Sequence, residues 1–265
     1  MTRLDAALAA RGLARSRTHA AALIADGMVR VDGRPAVKPS LQVSDDARLT
    51  VDGADQYVSR AAHKLIAALD GFRIPVAGRL ALDMGASTGG FSQVLRERGA
   101  RRVLAVDVGH GQLAASVAAD PGVVAVEGYN VRHMTPENLA AATGESAAPD
   151  LVTGDLSFIS LELVLPAVAA VAATDADVVL LVKPQFEVGR TAVRGGLVTD
   201  PATRADAVAR TVWSAWDAGL GMLGILPSPI LGTRGNAEYL VHLAPGRGED
   251  PSEWTKRIDE LAGGR

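Results

Sequence analysis

The chain has 265 residues, 48% of them hydrophobic, with 27 Lys and Arg against 30 Asp and Glu, enough for one or two domains with a sizeable core. It has no cysteine and only five histidines, with no zinc-binding spacing, so neither a disulfide framework nor a metal site is expected. No apolar run approaches the roughly 20 residues of a membrane span, and the start Met1-Thr2-Arg3-Leu4-Asp5 lacks the basic-then-apolar order of a secretory signal. A cytoplasmic monomer with no membrane contact is the expectation.

The net charge of −3 hides an asymmetry. Residues 1–38 carry seven basic side chains (Arg3, Arg11, Arg15, Arg17, Arg30, Arg34, Lys38) against Asp5, Asp26 and Asp32. That segment is +4, and the rest of the chain is −7. A basic end on an acidic body suits an RNA-gripping module, and it equally suits a solvated basic face.

Residues 2–12 read as a short helix, with Thr2 as cap, Asp5 as capping-box acid and Gly12 as stop. Ser16 can cap a second helix that runs to Asp26 and ends at Gly27. Met28-Val29-Arg30-Val31 alternates as a strand, Asp32-Gly33 is a hairpin signal, and Leu49-Thr50-Val51 is a further short strand. Residues 58–71 read as a helix.

From Arg79 onward strand and helix alternate. Strands are predicted at 80–82, 103–106, 123–126, from 151, and at 178–182. Helices are predicted at 90–98, 111–119, near 136–142, at 161–172 and at 202–218. Continuous apolar strands between amphipathic helices mean a parallel sheet covered on both faces. Strands near 222–227 and 238–243 pair as an antiparallel edge hairpin, residues 185–201 form a long loop, and 251–263 form a last helix. The resulting division is an N-terminal unit 1–54, a linker 55–58 and a catalytic unit 59–265.

The first strand of the sheet runs into Asp83-Met84-Gly85-Ala86-Ser87-Thr88-Gly89-Gly90-Phe91. Glycines between a strand and a helix let the backbone approach a ligand. The spacing is not the dinucleotide G-x-G-x-x-G, and Asp83 can accept from an ammonium group. S-adenosylmethionine has such an end. Asp107, closing the second strand, is placed for a ribose diol, and Asn130, after the third, for an adenine edge. These residues could also simply cap strand ends.

Four polar residues stand in apolar or turn-like contexts: Lys64, Asp155, Lys183 and Glu238. Asp155 and Lys183 end adjacent strands, where open parallel sheets form their ligand crevice. Taking a proton from a ribose hydroxyl calls for a base whose charge state is tuned by burial and neighbouring charges. Lys183 is the expected base, with Lys64, Asp155 and Glu238 setting its charge and position. Each residue alone would also suit a structural ion pair.

These stretches resemble known families. Arg3-Leu4-Asp5, Gly12-Leu13-Ala14-Arg15-Ser16-Arg17, Gly27-Met28-Val29 and Lys38-Pro39-Ser40 resemble the S4-type RNA-binding domain. Lys64, the glycine loop, Asp155-Leu156-Ser157-Phe158-Ile159-Ser160 and Lys183-Pro184-Gln185-Phe186-Glu187 resemble the FtsJ-like ribose methyltransferases. Together they look like the TlyA family of ribosomal RNA methyltransferases, in its actinobacterial form. The resemblance implies a Rossmann-like class I methyltransferase fold behind a small α+β S4-type domain. It implies S-adenosylmethionine-dependent 2′-O-methylation of cytidine in 16S and/or 23S rRNA within ribosomal subunits. It also implies a Lys64-Asp155-Lys183-Glu238 tetrad and a linker Gln56-Tyr57-Val58 that influences cofactor binding. Where the family has Arg-Ala-Trp-Val, this chain has Asp55-Gln56-Tyr57-Val58. Arg3, Arg15, Arg17 and Lys38 are the expected phosphate contacts. The alternatives are a small-molecule methyltransferase, which needs no N-terminal module, and a membrane-active protein, since the family also carries a haemolysin name. A pseudouridine synthase with a similar N-terminal domain would lack the glycine-loop sheet.

Overall fold

The computed structural model describes residues 2–263 except 15, 26, 37, 52–56, 190–192 and 194. The chain divides into two compact units, Met1–Gln56 and Tyr57–Arg265.

In the first unit, β1 (Thr2–Arg3) leads directly into α1 (Leu4–Ala10), followed by α2 (Arg17–Ala25), β2 (Val29–Val31), β3 (Arg34–Pro35), β4 (Gln42–Val43) and β5 (Leu49–Val51). The strands form two small antiparallel sheets, β3-β2-β5 and β1-β4. Leu4, Leu8, Ile24, Val29, Val43, Leu49 and Val51 fill the core. Ser16 caps α2 as expected, its Oγ accepting from His19 N at 3.1 Å. Asp32 and Gly33 both take positive φ, 49° and 79°, the conformation that a two-residue hairpin turn demands. The expected start of α1 is corrected. Thr2 pairs with Val43 in a strand, and the cap position falls to Arg3, which offers no side-chain cap. Asp5, freed from capping-box duty, faces two arginines instead.

In the second unit, α3 (Ala62–Phe72) precedes β6 (Leu80–Met84), α4 (Gly90–Glu97), β7 (Arg102–Val106), α5 (Ala115–Ala118), β8 (Val123–Val126), α6 (Pro136–Thr143), β9 (Leu151–Gly154), α7 (Leu165–Val171), β10 (Asp177–Val182), α8 (Pro184–Glu187), α9 (Pro201–Asp217), β11 (Leu220–Pro227), β12 (Tyr239–Pro245) and α10 (Thr255–Ala262). They build one seven-stranded sheet in the order β11-β12-β10-β9-β6-β7-β8. The pairs from β10 to β8 are parallel, and β12 and β11 join antiparallel at one edge. This is a doubly wound, Rossmann-like α/β arrangement, as the alternation of apolar strands and helices predicts.

Its two faces carry separate cores. Leu80, Leu82 and Met84 of β6 point to one, with Leu165, Val168 and Val208. Ala81 points to the other, with Leu65, Leu69, Val94 and Leu95. Burial on both sides explains why the strands read as unbroken apolar runs.

Strand order reverses at β6: β7 and β8 lie to one side, β9 and β10 to the other. The carboxyl ends of β6 and β9 therefore bound the crevice where such sheets hold ligands. Gly85 and Asp155 stand at those two ends. The Asp155 backbone N–H donates to the Met84 carbonyl at 3.2 Å, and a Cβ on Gly85 would press on Leu156 at 3.0 Å. Gly85, at φ 76°, takes the left-handed conformation that favours glycine where the two loops pack closely.

Candidate active site

Within that crevice the four expected residues come together. Lys64, on α3, donates to Glu238 Oε2 at 2.7 Å and to Asp155 Oδ2 at 3.3 Å. Lys183, the residue after β10, lies 2.6 Å from Asp155 Oδ1. The Val182–Tyr239 register carries Glu238 opposite Lys183, one step beyond the paired strands. Three different devices place the side chains: a helix for Lys64, parallel strand ends for Asp155 and Lys183, and an antiparallel return for Glu238. Lys64, Lys183 and Glu238 are buried. Burying charges at this density is tolerable only because each is paired. The Glu238 carboxylate lies against Gly232, where a Cβ would overlap Oε1.

Lys183 also donates to Ser157 Oγ at 2.8 Å. Beyond Ser157, the turn is anchored by Glu187: Ser160 Oγ donates to Oε2 at 2.6 Å, and Leu161 N donates to Oε1 at 3.1 Å. Burial raises the Glu187 carboxyl above its ordinary range, against those hydrogen bonds. Ser157 and Glu187 have no assigned role in the sequence reading. Their partners lie 26 and 27 residues away, and no local spacing announces them.

The glycine loop divides its labour. Gly85 and Ala86 both donate to the Val106 carbonyl, at 2.9 and 3.2 Å. A Cβ on Gly89 would meet Leu113 and Val117, and one on Gly90 would meet Ser59. Phe91 is buried in the core beside Val94 and Leu95. Gly89, Gly90 and Phe91 thus have packing duties, while Ser87, at φ 48°, is exposed and Thr88 half-buried. Asp107, at the end of β7, accepts from Ser87 N at 2.8 Å and Gly109 N at 2.7 Å, one on each oxygen. Each oxygen keeps acceptor capacity for a diol. Asn130 is exposed and caps a 3-10 turn, accepting from Arg132 N at 3.1 Å.

Asp83 is buried at the end of β6 and accepts from Ser92 Oγ at 2.6 Å. Burial pushes its carboxyl up to about 7, and the nearby Asp155 carboxylate adds to the rise. A buried carboxyl partnered by the Ser92 and Thr153 hydroxyls, with no cation beside it among the described residues, suits the ammonium group of a ligand. S-adenosylmethionine, with its sulfonium and ammonium groups, fits that donor set.

In the N-terminal unit, the Arg3 guanidinium binds Asp5 through two bonds, at 3.1 and 3.0 Å, and Arg17 binds the same carboxylate at 3.1 Å. The hydrogen bond from Arg3 heads the causes that hold the Asp5 carboxyl down at about 2. Lys38 is exposed. The segment after it is tied to α1 by Asp5 N donating to the Pro39 carbonyl and Leu4 N to the Leu41 carbonyl, at 3.1 and 2.7 Å. Arg3, Arg17 and the backbone of Lys38 therefore flank one patch. Arg15 lies outside the described residues.

Residues 57–244 match the FtsJ-like methyltransferase family, and residues 2–49 match the S4 domain. A Mycobacterium tuberculosis protein named 16S/23S rRNA (cytidine-2′-O)-methyltransferase TlyA is 53% identical over 244 residues, covering 91% of this chain and 89% of its own length. Hemolysin A of Brachyspira hyodysenteriae is 34% identical over 241 residues, covering 91% of this chain and 98% of its own. A solved structure from Streptococcus thermophilus, carrying a hemolysin name, superimposes with a TM-score of 0.76 at 34% identity, covering 98% of this chain and 94% of its own. Among the described residues, no helix is long and apolar enough to cross a membrane.

Proposed function

The chain belongs to the FtsJ-like methyltransferase family, and on that premise we propose that it methylates the ribose 2′-hydroxyl of a cytidine in 16S and/or 23S rRNA in the cytoplasm. S-adenosylmethionine, when bound, supplies an electrophilic methyl group. Asp83, Asp107, Asn130 and the Gly85–Thr88 part of the loop are the residues proposed to hold it.

The observation that carries the reading is the division of one carboxylate between two lysines. Asp155 offers Oδ2 to Lys64 and Oδ1 to Lys183. Lys64 has a second carboxylate, Glu238, at 2.7 Å. Among the described residues Lys183 has no second carboxylate; its further partners are the neutral Ser157 hydroxyl and the Asp155 carbonyl. Of the two, Lys183 gives up a proton with the smaller loss of ion pairing, and the fixed Lys64 cation beside the shared carboxylate favours that loss. Lys183 is therefore the base that receives the 2′-hydroxyl hydrogen at Nζ. Lys64, Asp155 and Glu238 hold it in place. Positioned proton transfer of this kind contributes about 10²–10⁴-fold in rate, and alignment of the hydroxyl adds to it.

We assign residues 1–54 to RNA gripping, 55–58 to the connection and 59–265 to catalysis. Arg3, Arg17 and Lys38 supply phosphate contacts, which position RNA without reading sequence. The choice of nucleotide then rests on RNA shape and on an unstacked target base.

Incubation with labelled S-adenosylmethionine and either ribosomal subunits or free nucleotides tests the substrate. Label is expected in subunit RNA alone. Label in free nucleotides would favour a small-molecule methyltransferase and overturn the proposal.

A further inference from the structure

Lys183 must do more than lose a proton; it must aim. A neutral lysine amine has two N–H bonds and one lone pair in three staggered positions about the Cε–Nζ bond. One acceptor fixes one hydrogen and leaves the lone pair two places to sit. A second acceptor leaves one. Ser157 Oγ, at 2.8 Å, is one acceptor, and the Asp155 backbone carbonyl, at 3.5 Å, is the other. Asp155 Oδ1, 2.6 Å from Nζ, pairs with it by charge and lies outside hydrogen-bond geometry.

We propose that Ser157 is a positioning residue for the methyl-transfer reaction: with Asp155 it fixes the direction in which Lys183 presents its lone pair to the ribose hydroxyl. The inference rests on Lys183 being the base.

The turn that carries Ser157 is built to hold such a direction. It leaves β9 at Asp155 and passes through Phe158, a non-glycine residue at φ 64°. It is then tied by Ser160 and Leu161 to the buried Glu187. Glu187 lies on α8, immediately after Lys183. The turn is thus pinned to the same strand–helix junction at two points, once at Lys183 and once at Glu187. Ser157 itself is exposed, while Lys183 is buried. The charged groups around Lys183 are Asp155 and, through that carboxylate, Lys64 and Glu238. None of them duplicates the Ser157 acceptor.

The test compares Ser157→Ala, Ser157→Thr and Lys183→Ala in steady-state methylation of ribosomal subunits across pH. Ser157→Ala is expected to lose on the order of tenfold in kcat with KM for both substrates unchanged, since only alignment suffers. Ser157→Thr keeps the hydroxyl and most of the rate. The alcohol also accepts from the ammonium form, so its removal moves the acid limb of the pH–rate profile to lower pH. A purely structural role would not move that limb. Unchanged kcat and unchanged pH profile in Ser157→Ala, beside an inactive Lys183→Ala, would overturn the proposal alone. A Lys183→Ala protein that turns over would overturn the base assignment, whatever Ser157→Ala does. Retained S-adenosylmethionine binding reports folding. Should Ser157→Ala fail that check, Ser157→Cys, similar in size and a weaker acceptor, reads the same contrast.

Discussion

Asp155 and Asp5 are each shared by two cations, and the two groups do opposite things. At Asp155 the lysines are withdrawn from water: the side chains of Lys64 and Lys183 are 9% and 8% exposed. At Asp5 only the carboxylate is withdrawn, 8% exposed, while Arg3 and Arg17 remain 45% and 61% exposed. A buried lysine meets one small group admitted to the crevice, and its protonation state is open to control by its neighbours. An exposed guanidinium keeps its charge at any ordinary pH. It spends one or two of its five N–H groups on Asp5 and keeps the others for phosphate. The same motif, two cations on one carboxylate, becomes a proton-handling centre or a phosphate grip according to which partner is buried.

Breaking the buried group has the largest expected effect. Lys183→Ala should cost about 10²–10⁴-fold in methyl transfer while S-adenosylmethionine still binds, measured by single-turnover kinetics and calorimetry. Gly232→Ala places a methyl group on the Glu238 carboxylate. Displacing Glu238 should loosen Lys64 and lower the rate on the order of tenfold, with RNA affinity unchanged in a filter-binding assay.

The exposed group should answer to salt instead. Arg17→Ala with Lys38→Ala should weaken subunit binding and reduce the slope of log affinity against log salt by about 1.5, with the single-turnover rate of bound RNA unchanged. An unchanged slope would place the grip elsewhere. Asp5→Asn is the mildest change. It releases two guanidiniums and should tighten RNA binding severalfold. It also has a pH signature. The Asp5 carboxyl is held at about 2, below its ordinary 3.8, so it adds stability above pH 4 that is lost as pH falls from 4 through 2. Thermal unfolding against pH should lose that part of its slope in Asp5→Asn.

Much of the larger unit was legible, for identifiable reasons. Burial on both faces makes Val103–Val106 and Val178–Val182 apolar throughout, Lys183 stands out because it breaks such a run where the chain leaves the sheet, and Asp155 because it follows the end of the adjacent strand. Local signals failed where tertiary partners decided. Residues 111–119 read as a helix, but Gly109 and Gly111 donate to Asp107 and Glu127, and Gln112 bonds Ser87. Only Ala115–Ala118 remains helical. The expected 161–172 helix splits into a Ser160-capped turn and α7, which starts anew around Pro166. The expected loop 185–201 begins with the short helix α8, held by the buried Glu187. The 58–71 helix begins at Ala62, since Ser59 Oγ draws Ala61 N into a turn. The Lys64–Glu238 bond spans 174 residues, and no window of sequence could connect its ends. Ser157 shows the same limit in miniature: it lies two residues from Asp155, yet its partner Lys183 comes from the next strand.

The central claim is that Lys183 takes the proton from a ribose hydroxyl of ribosomal RNA as that oxygen is methylated. Its most direct test is to label subunits with wild-type and Lys183→Ala proteins and hydrolyse the recovered RNA in alkali. A 2′-O-methyl group removes the hydroxyl that attacks the adjacent phosphate, so the wild-type label should emerge in an alkali-resistant dinucleotide, and the variant should leave none. Label released in single nucleotides, or equal label from the variant, would contradict the account.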